Sequence, residues 1–118
     1  MKLLIDADVL LRAALFPSGE AHAALQKALA APFQPCVREA VFDELRQRIG
    51  EKFPSAAAAA EDYLSALQET VTVLPEAEGD GRSPLDDSVN LFLTGDGALL
   101  ALSEKEPRIL SAAEFLRF

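Results

Sequence analysis

Along the chain, short unbroken apolar runs alternate with longer stretches whose apolar residues recur every three or four positions. Lys2 to Ile5 has the look of a buried parallel strand, and Asp6 ends it. Val9 to Phe16 is predicted as a short helix, stopped by Pro17-Ser18-Gly19. Glu20 to Leu29 is rich in good helix formers, with Ala21, Ala24, Leu25 and Ala28 on one face and Pro32 beyond its end. Phe33 to Val37 reads as a second strand, weakened by Pro35. Arg38 to Ile49 is predicted as a helix, because Val41, Leu45 and Ile49 repeat every four residues and Gly50 stands where a C-terminal cap belongs.

Ser55 is placed to cap another helix running to about Glu69; its Ala56–Ala60 run reads as a close-packing face, with Tyr63, Leu64 and Leu67 in phase. Thr70 to Leu74 is β-branched and predicts a third strand. Pro75 to Pro84 is a polar loop, and Val89 to Leu93 a fourth strand ended by Thr94-Gly95-Asp96-Gly97. Ala98 to Leu102 predicts a short helix and Arg108 to Leu110 a last strand, while Ser111 and Glu114 have capping-box spacing for a terminal helix. Strands and helices alternate throughout, with no repeat and no linker. The expectation is one α/β domain over residues 1–118, with a mainly parallel central sheet of four to five strands flanked by helices.

Composition narrows the setting. No apolar run approaches the roughly 18 residues a membrane span needs, and an acid inside the first apolar stretch argues against a signal peptide. Cys36 is the only cysteine, so no internal disulfide can form, and a cytoplasmic protein is the simplest expectation. The net charge of −8 argues against holding nucleic acid by phosphate neutralisation alone. It leaves room for a nuclease, since divalent cations reverse the local field at a carboxylate cluster.

The acids fall at informative places. Sites in parallel sheets form beyond the carboxyl ends of strands. Asp6 follows the first strand, Asp8 comes two residues later, Asp86 and Asp87 precede the fourth strand, and Asp96 follows it. Glu44 lies within the helix after the second strand. Carboxylates in close contact need a counterion. Oxygen donors without cysteine or histidine select a hard cation, Mg²⁺ or Mn²⁺. The plain alternative is that an Asp at a strand end serves as a helix cap or turn residue and that most of the nineteen acids are solvated surface.

These segments resemble, in order, the motifs of PIN domains: Leu4-Ile5-Asp6-Ala7-Asp8-Val9-Leu10, Phe42-Asp43-Glu44-Leu45, Ser83-Pro84-Leu85-Asp86-Asp87-Ser88, Leu93-Thr94-Gly95-Asp96-Gly97-Ala98, and the ending Arg108 to Leu116. The likeness is closest to toxin components of toxin–antitoxin systems, relatives of VapC-type ribonucleases. It implies a Mg²⁺- or Mn²⁺-dependent ribonuclease cutting single-stranded or structured RNA. Asp6, Glu44, Asp87 and Asp96 would form the acidic cluster, Asp6 as the central metal ligand, with Thr94 orienting the cluster by hydrogen bonding. Asp8 stands where the family commonly has asparagine; it adds a charge to the site or caps the following helix. Asp86 is a substitute for Asp87. A basic antitoxin and a second copy of the chain are the implied partners, alongside RNA.

The third and fourth motifs stand too close together, because only Ser88 to Leu93 separates Asp87 from Thr94 and the family's intervening helix is missing. That puts the reach of Asp87 in question, with a three-carboxylate or an inactive site as consequences. It also predicts a sheet face that is bare or otherwise covered, and a bare face would favour a dimer. Two rival readings follow: a PIN fold kept as a partner-binding module without activity, and a phosphoacceptor receiver domain. The second fails because Thr70 to Pro75 offers no aspartate at the third strand. Elsewhere, His22 reads as a surface or partly buried histidine and Cys36 as a small buried hydrophobe. Lys27, Arg38, Arg46, Arg48 and Lys52 could meet phosphates but more often pair with nearby acids. Phe33, Phe42, Phe53 and Phe92 read as core.

Overall fold

The computed structural model describes residues 1–75, 90–95 and 108–118. The strands are β1 (Lys2–Ile5), β2 (Gln34–Arg38), β3 (Thr72–Leu74), β4 (Leu91–Leu93) and β5 (Arg108–Leu110). The helices are α1 (Ala7–Leu15), α2 (Glu20–Ala28), α3 (Glu39–Lys52), α4 (Ala57–Thr70) and α5 (Ala112–Leu116), with a 3₁₀ turn at Pro54–Ala56. All strand pairings are parallel, in the order β3-β2-β1-β4-β5. This is the α/β architecture with a parallel five-stranded sheet that the alternating pattern predicts. The chain lays strands outward from β1 in one direction, then returns to its other side, so the order reverses between β1 and β4. Ligand crevices in such sheets open at that reversal, beyond the strands' carboxyl ends.

Alternation along each strand sets the two faces of the sheet. Leu3, Ile5, Val37, Leu91, Leu93 and Leu110 face one way, into a core shared with Val9, Leu10, Leu25, Phe42, Leu45, Leu64 and Phe115 from the helices. Leu4, Cys36, Phe92 and Ile109 face the other way and are at most 4% exposed. Of the two expectations, bare or otherwise covered, the second holds at these positions, and they give no exposed sheet from which to argue a dimer. Pro35 is tolerated inside β2 for a specific reason. The Gln34 N–H points to β1, donating to the Met1 carbonyl at 2.8 Å, so the Pro35 nitrogen faces the other side. There β3 has not yet begun, because its first pairing is Cys36 with Thr72.

Element boundaries shift where local hydrogen bonds outvote propensity. α1 begins two residues before the predicted Val9 because Asp6 caps it. α3 runs through Gly50 instead of stopping there; Phe53 closes it, donating its N–H to the Ile49 carbonyl at 2.7 Å. Ser55 falls in the 3₁₀ turn and makes no side-chain cap to α4. Thr70 ends α4 rather than opening β3, its hydroxyl donating to the Ala66 carbonyl at 2.7 Å. At the other end, Ser111 and Glu114 form the full capping box of α5. The predicted helix from Ala98 and most of the polar loop lie outside the described residues.

Candidate functional site

Asp6 and Thr94 occupy the reversal point. Asp6 leaves the end of β1 and its backbone N–H donates to the Leu93 carbonyl of β4 at 2.9 Å. That bond continues the β1–β4 ladder one residue past the strands and fixes where the Asp6 side chain starts. Oδ1 of Asp6 accepts the Ala7 N–H at 2.8 Å as the N-cap of α1, so the carboxylate also meets the positive end of the helix dipole. Oδ2 accepts the hydroxyl of Thr94 at 2.7 Å. Thr94 follows β4, is fully buried, and donates its own N–H to the Leu110 carbonyl at 3.0 Å. A buried hydroxyl is costly without a partner, and a partner here is the partly buried carboxylate of Asp6.

Asp8 and Glu44 are brought together by an arginine. Glu44 sits on the exposed side of α3, and its Oε1 accepts Nη2 of Arg48 at 3.1 Å. Nη1 of the same guanidinium lies 4.0 Å from Oδ1 of Asp8, in the first turn of α1. Asp8 therefore does not cap α1; Asp6 does. Asp8 and Glu44 remain 54% and 53% exposed, so both keep oxygen atoms available to a ligand. Among the described residues no three His, Cys, Asp or Glu side chains stand close enough to hold one metal ion. Asp86, Asp87 and Asp96 lie outside the described residues. Asp6, Asp8 and Glu44 offer oxygen donors alone, a set whose chemistry fits Mg²⁺ or Mn²⁺.

An open cleft of about 380 Å³ is lined by Thr94, the hydroxyl partner of Asp6, and by Gly95, with Arg12, Phe16 and Glu20 also among its walls. Neither Arg12 nor Phe16 was marked by sequence reasoning. The available signal was their spacing: they stand four residues apart, Arg12 in the last turn of α1 and Phe16 as its C-cap, where the Phe16 N–H donates to the Arg12 carbonyl at 2.9 Å.

The other basic candidates are largely committed elsewhere. Arg46 donates Nε to Glu61 at 2.7 Å and Nη2 to Gln68 at 2.8 Å, which holds the Glu61 carboxyl below its ordinary range. Lys27 donates Nζ to the Phe115 carbonyl at 2.7 Å and pins the C-terminal segment. His22 directs Nδ1 at the Ala13 carbonyl at 3.1 Å and stacks on Tyr63 with ring centroids 5.1 Å apart, a structural placement. Cys36 is fully buried. Phe42 and Phe92 are core and Phe33 packs against it, but Phe53 is 39% exposed at the end of α3, against the expectation.

No curated protein matches the chain. A family model described as PIN domain matches residues 2–93, which takes in Asp6, Asp8 and Glu44 and stops one residue short of Thr94. PIN domains are generally nucleases, and this chain belongs to the PIN-domain family.

Proposed function

We propose that this PIN domain is a divalent-metal-dependent ribonuclease with Asp6 as its central carboxylate. The observation that carries the reading is the buried Thr94 hydroxyl at 2.7 Å from Asp6 Oδ2, at the point where the strand order reverses. A partly buried carboxylate held from both sides at that position is prepared for a cation or for water. Asp6, Glu44 and Asp96 would hold Mg²⁺ or Mn²⁺, with Asp87 as a further ligand and Asp8 as an added charge. When bound, such an ion orients a water and offsets charge developing on a phosphodiester. The chain's own contribution is to fix the Asp6 carboxylate through Thr94 and the α1 N-terminus and to hold Asp8 and Glu44 to each other through Arg48.

The wider setting of the proposal is a toxin component of a toxin–antitoxin system, acting in the cytoplasm on RNA. The net charge of −8 suits a basic antitoxin as partner. A homodimer belongs to the same proposal, and light scattering that finds a monomer would remove it. No helix among the described residues is long and apolar enough to cross a membrane.

The test is cleavage of a fluorophore–quencher RNA in Mn²⁺ by the wild type and by Asp6→Asn. Loss of divalent-dependent cleavage in a variant that still folds is the expected outcome; undiminished cleavage overturns the assignment. One observation favours the rival reading, a partner-binding PIN fold without activity. Arg48 already pairs with both Asp8 and Glu44, leaving one net negative charge where a metal cluster would want two. Titration calorimetry with Mn²⁺ separates the two, since an inactive site gives no specific heat.

A further inference from the structure

The cleft runs from the end of β4, at Thr94 and Gly95, to the α1–α2 turn, at Phe16, Gly19 and Glu20, and its two ends differ in character. At the strand end the Arg12 guanidinium lies across Gly95, so close that a methyl group on Gly95 would sit 3.6 Å from Nη1 and 3.7 Å from Cζ. Gly95 follows Thr94, so this cation stands next to the residue that grips Asp6. Among the described residues Arg12 makes no ion pair, whereas Arg46 and Arg48 are held by acids. At the other end, where α1 turns into α2, Phe16 is 58% exposed and shares the wall with Glu20. An aromatic face that open, at a helix end and inside a cleft, contributes little to the core.

We propose that Arg12 and Phe16 position the substrate: Arg12 holds a backbone phosphate next to the scissile one, and Phe16 stacks on an unpaired base of the same strand. This rests on the ribonuclease reading above and adds two residues to it. The polarity of the cleft sets the direction. A phosphate is drawn to the guanidinium by paired charge-assisted hydrogen bonds and is repelled by Glu20, so the backbone runs past Gly95 and the base points toward the α1–α2 turn. Stacking on an aromatic face is tolerant of sequence, because every base presents a π-face. It does require the base to be out of a duplex.

The experiment uses the full chain and a mixed-sequence RNA decamer carrying a fluorophore and a quencher, in Mn²⁺. Phe16→Ala should raise KM roughly tenfold or more, in line with the loss of one stacked base, with kcat changed by less than about threefold. Arg12→Gln should raise KM and lower the slope of log KM on log salt by about 0.7, one phosphate contact on a single strand. Both side chains are exposed, so both variants should melt as the wild type does. The chain has no tryptophan, so Phe16→Trp supplies a lone indole reporter. Its fluorescence should be quenched by the RNA decamer and far less by the same sequence as a duplex. Wild-type cleavage with unchanged KM and salt slope in Phe16→Ala and Arg12→Gln overturns this assignment alone. A wild type that cleaves no RNA overturns the ribonuclease reading and this one with it.

Discussion

Replacing Thr94 with valine asks whether the buried hydroxyl serves the fold or the Asp6 carboxylate. Valine keeps the shape and the β-branching while removing the O–H that reaches Asp6 Oδ2 at 2.7 Å. A hydrogen bond to a charged group is worth about 1.5–3 kcal/mol. The lower end applies, because Asp6 is only half-buried and water can replace part of the donation. Spread over 118 residues, a loss of about 1.5 kcal/mol lowers the melting temperature by roughly 6 °C. Serine is the matched control. It keeps the donor but deletes a methyl group at a fully buried position, costing about 0.8 kcal/mol. Both variants are thus modestly destabilised, whereas cleavage should separate them. Thr94→Val should lose roughly 10–100-fold in Mn²⁺-dependent activity, as expected for removing the residue that orients a metal-holding carboxylate. Thr94→Ser should stay within a few-fold of the wild type. Calorimetric melting and initial-rate cleavage of the RNA decamer, run side by side, decide it. A Thr94→Val enzyme that melts lower yet cleaves as well as Thr94→Ser would refute the orienting role.

Two further outcomes test other parts of the structure. The Tyr63 hydroxyl is buried with no hydrogen-bond partner among the described residues, and burial pushes its pKa up to about 12. The folded state thus resists ionisation that the unfolded chain undergoes near pH ~10, so stability should be constant below that pH and fall as pH rises from about 10 to about 12. Tyr63→Phe should remove that alkaline decline and raise the melting temperature by a few degrees at neutral pH, about 1 kcal/mol for an unsatisfied hydroxyl; a lower melting temperature would show that the hydroxyl is in fact satisfied. Arg48→Gln removes the cation shared by Asp8 and Glu44. Exposed pairs of this kind contribute little stability, on the order of 0.5 kcal/mol, but the freed carboxylates should bind Mn²⁺ several-fold more tightly by titration calorimetry. Unchanged affinity would mean that neither acid faces the metal.

The sequence made the strands legible where apolar runs were unbroken and bounded: Lys2–Ile5 and Arg108–Leu110 fall where the pattern puts them. Boundaries set by a single hydrogen bond were not legible in the same way. Gly50 has the residue type of a helix terminator, yet α3 continues because Ile49 is buried and its carbonyl finds the Phe53 N–H. Asp6 was legible as an acid at a strand end, and its two roles, cap and site, turned out to be one: Oδ1 caps α1 while Oδ2 takes Thr94. Phe16 and Arg12 stayed hidden because hydrophobic periodicity marks what is buried. An aromatic residue at a helix end reads as core until the structure places it on a cleft wall. Asp86, Asp87 and Asp96 were named by motif likeness and lie outside the described residues.

How an acidic chain admits a polyanion follows from where its cations are spent. The chain has 19 acids and 11 basic residues, so the long-range field repels RNA. Lys27 is held on the C-terminal carbonyls, Arg46 on Glu61, and Arg48 on Glu44, so none of these is free to offset that field. Arg12 lies beside Gly95, next to the residue that holds Asp6, and makes no ion pair among the described residues. Long-range repulsion is screened within about 8 Å at physiological salt, while a contact at the cleft is screened much less. The competition therefore shifts with ionic strength in an unusual direction. Between low and moderate salt the loss of repulsion should offset the loss of phosphate attraction, so kcat/KM should stay level or rise before it falls. A steep monotonic decline from the lowest salt, the pattern of a basic RNA-binding surface, would mean that RNA is drawn in by a cationic patch other than Arg12.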